Sequence, residues 1–355
     1  MMKKHHALTR VGVITAVACL VTSTAAMSAV AGPMSAPDQA VAPVSTAPTA
    51  GQDAAAAAVS SVRGGEQAVT TTTREERYWT QARMSAATSA DELPPQRATT
   101  AVPSAAQPKK ATVVAKPAVP SRAVTAHARG ATASMAAKKG PVRVPTTAGK
   151  LFFTYGGSDY VCSASSVNSR SKSLIMTAGH CVHSGPHAGW HRNFAYAPAY
   201  YNGRAPYGIW TWQRALTFRG WADSGRFDYD QAFIAVNPKN GVRLVNRVGG
   251  NGLVVGASNL QKSVRVFGWP AERPFTGGIP YYCDGRTGKR SGSIDATLGC
   301  AMNGGASGGP WLINRVNDTV GYVFAITSRR TLSGPPTLLA APNSLAVKNL
   351  YQSIG

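Results

Sequence analysis

From Lys150 to the C-terminus, short apolar runs alternate with clusters of Gly, Pro, Asn and Ser. Leu151–Tyr155, Ser173–Thr177, Ala232–Val236, Ser263–Gly268 and Val320–Ile326 are examples, each rich in β-branched or aromatic residues. Runs of this length, bounded by turn formers, predict strands rather than helices. Helical spacing emerges only at Asn343–Tyr351, where Asn343 is placed to cap one terminal helix. Many short strands and one end helix predict an all-β fold, a sandwich or a barrel.

Before Lys150 the pattern is different. Lys3, Lys4 and Arg10 precede an apolar run from Val11 to Val21, too short to span a bilayer, and Ala29-Val30-Ala31 offers a small-residue cleavage site. Residues 1–31 therefore read as an export signal. Residues 32–139 are dominated by Ala, Thr, Pro, Ser and Val, with a polyalanine run at Ala54–Ala58; they have little to bury and read as a low-complexity leader, mostly disordered or extended. One island departs from this. Arg74–Met84 holds the leader's Tyr78 and Trp79 and predicts a short amphipathic helix or a docking motif. Lys138-Lys139 is a candidate processing site, and residues 140–355 form the globular part.

Composition sharpens the division. Of the 355 residues, 37 are Lys or Arg and 15 are Asp or Glu. Residues 1–149 carry 16 basic and 7 acidic side chains, a net +9, and residues 150–355 carry 21 and 8, a net +13. Six of the seven tryptophans and every phenylalanine fall in the second part, which alone can build a full core. Several membrane spans, an acidic enzyme and two equal domains are all excluded. Loss of Cys19 with the signal leaves Cys162, Cys181, Cys283 and Cys300, an even set in an oxidising compartment. Three pairings are possible, and spacing favours Cys162–Cys181 with Cys283–Cys300. Without a C-x-x-C pair, a zinc site is the poorer use of these four.

Three segments carry candidate chemistry: Thr177-Ala178-Gly179-His180-Cys181, Phe227-Asp228-Tyr229-Asp230-Gln231-Ala232-Phe233 and Gly304-Gly305-Ala306-Ser307-Gly308-Gly309-Pro310. A serine hydroxyl needs a base, imidazole titrates near neutrality, and a carboxylate fixes the imidazole tautomer. Glycines beside the serine let backbone N–H groups approach a developing oxyanion. Each segment alone is ordinary; the three in this order are not.

The chain resembles the chymotrypsin-like (trypsin-like) serine peptidases, in particular their secreted bacterial branch. The resemblance rests on Val161-Cys162-Ser163-Ala164-Ser165 with Thr177–Cys181, on Gly305–Pro310, which is G-D-S-G-G-P with one change, and on Asp230-Gln231-Ala232-Phe233. It covers about residues 148–355. It implies two six-stranded antiparallel β-barrels with the active site between them. It also implies Ser307 as nucleophile, His180 as general base and acid, Asp230 as the orienting carboxylate, and the N–H groups of Gly305 and Ser307 as the oxyanion hole. Asp228 is the rival carboxylate; Asp230 is preferred because Ala232 and Phe233 come after it at the family's spacing.

Ala306 stands where many family members have an Asp that pairs with a newly cut N-terminus, so activation by that ion pair is not expected. The resemblance puts the specificity pocket among Ala301–Gly304 and Thr327-Ser328, which hold neither an acidic residue nor a histidine. Arg329-Arg330 lies beside it. His180, His183, His187 and His191 have a spacing suggestive of a metal face, but Gly185-Pro186 breaks any such helix, and no metal or cofactor is expected. The sequence thus points to an exported serine endopeptidase acting on protein or peptide substrates, with no nucleic-acid or membrane partner and a monomer assumed. The competing reading is a basic exported binding protein on the same scaffold.

Overall fold

The computed structural model describes residues 56–63, 74–93, 110–120, 126–131 and 142–355. The export signal, Cys19 and Lys138-Lys139 lie outside the described residues. From Ala148 onward the chain is an all-β double barrel.

The first barrel is built from β1 (Ala148–Tyr155), β2 (Ser158–Val167), β3 (Leu174–Thr177), β4 (Arg192–Pro198), β5 (Trp210–Phe218) and β6 (Ala232–Val236). All its neighbouring strands are antiparallel, and β5 closes the ring by pairing Trp210 and Thr211 with Tyr196 and Ala195. β1 and β2 are joined by Gly156-Gly157, both at positive φ (57° and 84°). A two-residue hairpin loop of this hand matches the twist of the flanking strands, and only glycine adopts it freely. Phe152, Phe153, Phe194, Phe218 and Phe233 are fully buried in this half. Each contributes about 1.5–3 kcal/mol of hydrophobic stabilisation.

The second barrel contains β7 (Gly252–Val255), β8 (Val264–Gly268), β9 (Tyr281–Gly285), β10 (Ala296–Gly299), β11 (Pro310–Ile313), β12 (Tyr322–Ile326) and β13 (Thr337–Ala340). Its strands fall into two sheets, β7-β12-β11-β8-β9 and a smaller one holding β10 and β13. They enclose one core of Val264, Val266, Leu298, Trp311, Phe324 and Leu338. The short β7–β12 contact is parallel; the other pairings among these seven strands are antiparallel.

Both disulfides pair as spacing favours. Cys162–Cys181 ties β2 to the turn after β3, and Cys283–Cys300 ties β9 to the residue after β10. Loops of 19 and 17 residues correspond to about 3 kcal/mol each on chain-entropy grounds.

The terminal helix spans Leu345–Gln352, with Ser344 rather than Asn343 at its N-cap and no side-chain capping bond. Asn343 is fully buried instead, and its amide donates to Val254 O and Val323 O, joining β7 to β12. A buried amide is better satisfied by two strand carbonyls than by an exposed helix end.

The leader residues also take part. Val59–Arg63 runs antiparallel along β5, Thr112–Ala115 along β7, and His127–Gly130 parallel to β9. The Arg74–Met84 island docks on the first barrel. Trp79 is buried against Phe152 and donates its indole N–H to Asn193 O at 2.7 Å. Glu75 accepts from Trp212 Nε1 at 2.7 Å. Asp159 accepts from Tyr78 and Arg83. A helix of six residues, Gln81–Ala86, comes next, capped by Thr80 Oγ1, which accepts from Arg83 N.

Candidate functional site

His180 sits in a 3₁₀ turn, Gly179–Cys181, directly after β3 and pinned by the first disulfide. The turn can pack this closely because Gly179 has no side chain. A Cβ there would lie 2.9 Å from the Trp221 ring and 3.0 Å from Asp230 Oδ1. Asp230 ends a second 3₁₀ turn, Phe227–Tyr229, just before β6.

The Asp230 side chain is fully buried and faces three donors. The His180 backbone N–H reaches Oδ1 at 2.7 Å, His180 Nδ1 reaches Oδ2 at 2.9 Å, and Ser328 Oγ reaches Oδ2 at 2.6 Å. Burial pushes the carboxyl pKa up, but the His180 charge and these hydrogen bonds outweigh it and hold it below the usual range. An ionised Asp230 can only accept, so Nδ1 carries a hydrogen and Nε2 is the ring nitrogen that Asp230 leaves unengaged. Asp228 is elsewhere engaged: Arg226 holds it through contacts of 2.7 and 3.2 Å. Of the two carboxylates that the sequence left in competition, only Asp230 meets His180.

Ser307 lies in the turn before β11. Gly305 and Gly308 have φ of +92° and +80°, which only glycine adopts without strain. Gly308 also has no room for a side chain, since a Cβ would lie 2.2 Å from Ser163 O and from Thr177 Oγ1. Ser163 stitches this loop to the first barrel: its N–H donates to Ser307 O and its hydroxyl to Gly305 O. The N–H groups of Gly305 and Ser307 make no hydrogen bond among the described residues. Ala306 is buried in the second core, against the backbone of Gly268.

Ser307 Oγ does not donate to His180. It donates to Asp91 Oδ1 at 2.9 Å, and the same oxygen lies 3.7 Å from His180 Nε2. Nε2 has no hydrogen-bond partner among the described residues. Burial works against a charge on His180, yet Asp230 and then Asp91 prevail and push its pKa up to about 10. Asp91 comes from the leader, and no motif in the sequence marks it.

The cleft beside His180 is lined by Trp221, Phe227, Ser328, Arg329, Arg330 and Leu332. An acidic residue does approach the expected pocket, from a segment far away in sequence. A Cβ on Gly304 would fall 1.8 Å from Glu272 Oε1, and Glu272 Oε2 pairs with Arg330 at 2.8 Å. Arg330 offsets that charge, so the pocket is not an open anionic site. Ser328, expected as pocket wall, lines the cleft and also anchors Asp230.

The four histidines do not converge. His183 packs edge-on against Trp190, and His191 is buried, stacked on Phe153. Among the described residues the one trio of mutually close metal-type ligands is Cys162, His180 and Cys181. Both sulfurs are spent in the disulfide, so the trio offers no thiolate to a metal. Among the described residues no helix is long and apolar enough to cross a membrane.

No family model matches the chain. An extracellular metalloprotease of Bacillus subtilis (strain 168) is 32% identical over 120 residues, 33% of this chain and 36% of that protein. The chain thus spans about a third of the length of this curated relative. Two solved structures match at greater extent. Protease Anisep from Arthrobacter nicotinovorans is 37% identical with a TM-score of 0.56, over 60% of this chain and 97% of that one. The thermostable serine protease AL20 from an extremophilic microorganism is 32% identical with a TM-score of 0.54, over 59% of this chain and 96% of that one. With identity above 30% over nearly the whole of both, and the double barrel in place, the chain belongs to the chymotrypsin-like serine peptidases.

Proposed function

We propose that this chain is an exported serine endopeptidase working through Ser307, His180 and Asp230. The observation that carries the reading is the fully buried Asp230 carboxylate, which fixes His180 through two of its hydrogens and leaves Nε2 3.7 Å from the Asp91 oxygen to which Ser307 donates.

The chemistry is set by that arrangement. His180 Nε2 takes the Ser307 hydroxyl proton as Oγ bonds to the substrate carbonyl carbon. The imidazolium formed is stabilised by Asp230, and the carbonyl oxygen becomes an oxyanion facing the N–H groups of Gly305 and Ser307. Loss of one such donor typically costs about 2.7–4 kcal/mol of transition-state stabilisation. His180 then gives its proton to the leaving amine as the C–N bond breaks, which leaves an acyl-serine. Water repeats the sequence, His180 again acting as base, and frees the acid and the serine.

Export is supported by the N-terminal charge-apolar-small pattern and by two disulfides in a core that could otherwise have used aliphatic residues. Residues 32–139 are then a leader ahead of the peptidase domain at 140–355.

The test is labelling of the chain, freed of its leader, by a fluorophosphonate probe, with casein digestion in parallel. Wild type labels and digests; Ser307→Ala does neither. A processed wild type that neither labels nor digests would refute the peptidase reading and leave a basic binding protein.

A further inference from the structure

We propose that residues 74–93 are a built-in inhibitor of the cleft, with the Asp91 carboxylate seated between Ser307 and His180 where the serine proton would pass. This rests on the assignment of those two residues under Proposed function.

Three observations support it. The first is what meets the nucleophile. Ser307 Oγ donates to Asp91 Oδ1, which also faces His180 Nε2 at 3.7 Å. The hydroxyl proton is thereby directed to Asp91 and away from His180 Nε2. A carboxylate carbon has no leaving group and repels an oxygen nucleophile, so the contact blocks without being turned over. A His180 held protonated by Asp230 and Asp91 is, in addition, unable to act as base.

The second is how Asp91 is delivered. Thr88 and Ser89 add to β2 as a short parallel strand beside Tyr160 and Val161. Ser89 is fully buried, and its Oγ accepts the Asp91 N–H at 3.0 Å, starting the 3₁₀ turn Ala90–Glu92. The same Oγ sits against Gly304 of the nucleophile loop, 2.3 Å from where a Cβ would be. Ala90, Asp91 and Leu93 then line the same cleft as Trp221 and Phe227.

The third is anchorage. The island just upstream is fastened to the first barrel by Trp79, Glu75, Tyr78 and Arg83. Acidic side chains are scarce before Lys150, only seven. Glu75, Glu76 and Asp91 are three of them, and each contacts the barrels.

The experiment measures fluorophosphonate labelling of Ser307 in the intact full-length chain and in chain cut between residues 94 and 141 and freed of its leader. Intact wild type is expected to label at least about tenfold more slowly than the freed form. Intact Asp91→Ala and Asp91→Asn should approach the freed rate. Intact Trp79→Ala, altered only at the anchor, should also label faster than wild type. The freed forms of all variants are the same polypeptide and must label alike, which checks that each has folded. If one Asp91 variant fails that check, the other and Trp79→Ala decide. The proposal is overturned if intact wild type labels as fast as its freed form, or if correctly folded variants label no faster than wild type. Should the freed wild type not label at all, the serine assignment itself fails; should it label while the variants gain nothing, only the plug is lost.

Discussion

The two barrels hold their halves of the site by different means. The first fixes His180 with packed side chains: Asp230 buried beneath it, Ser328 behind Asp230, and Trp221 against Gly179. The second fixes Ser307 with backbone, through glycines whose missing Cβ atoms let the loop press onto Ser163 and Thr177. A side-chain clamp can be weakened in steps by deleting one group at a time. A backbone clamp fails abruptly, because a carbon added at Gly308 collides with the Ser163 carbonyl oxygen, a backbone atom fixed in its strand.

Neutralising the centre of the side-chain clamp should give the largest effect. Asp230→Asn is expected to lower kcat by about 10⁴-fold, because the amide favours the wrong imidazole tautomer. Steady-state kinetics on the leader-free enzyme reads this; a loss below tenfold would mean that Asp230 does not orient His180. Gly308→Ala tests the backbone clamp. Strain at φ +80° and a 2.2 Å contact should together cost about 3 kcal/mol or more of stability, seen as a lower urea midpoint. A midpoint unchanged from wild type would show that the loop can give way.

Ser328→Ala removes one donor from a buried carboxylate, worth about 1.5–3 kcal/mol. It should reduce kcat about 10- to 100-fold and raise the lower apparent pKa of the pH–rate profile, whereas Asp230→Asn, which removes the charge that holds His180 up, should lower it. An unaltered kcat would assign Ser328 to the pocket wall alone.

The smallest effect concerns the leader's hold on the first barrel. Burial raises Glu75 from 4.5 to about 7 when docked, against the opposing hydrogen bond from Trp212 and the charge of Arg74. A raised carboxyl pKa favours the docked state when protonated. Docking is therefore undiminished below pH 4.5, weakens as pH rises from there to 7, and stays weak above it. The effect should be modest, since an ionised Glu75 can turn outward as the island loosens. Amide exchange over residues 74–86 in full-length Ser307→Ala should accelerate over that range, and Glu75→Gln should flatten the dependence. An equal pH profile in both proteins would discard Glu75 as its origin.

The local features of this architecture could be read from sequence because they are local in cause. Strand bounds at Ala232–Val236 and Val264–Gly268 arise from composition over five residues, and the half-cystine pairs close loops of 19 and 17. Asp230 is preferred to Asp228 because the resemblance implies Ala232 and Phe233 at that spacing after the carboxylate. Asp91 could not be found that way. It lies 216 residues from Ser307, in a leader whose composition suggests little structure, and its partner is set entirely by tertiary packing. Glu272 and Ser328 were opaque for the same reason: one reaches the pocket from beyond β8, and the other turns inward to a carboxylate 98 residues away. Asn343 carried a genuine local signal for a cap, overridden by two strand carbonyls in need of a donor.

The strands that residues 59–130 lay beside β5, β7 and β9 would have a consequence for the fate of the molecule were they removed. Each covers a row of backbone donors and acceptors that would otherwise template pairing with another chain. A peptidase released from its leader would present three such rows at once. What then keeps copies apart is their shared charge, +13 over residues 150–355. The abundance of Lys and Arg becomes a colloidal guard for uncovered sheet edges, and added salt should strip that guard from the freed domain sooner than from the full-length chain.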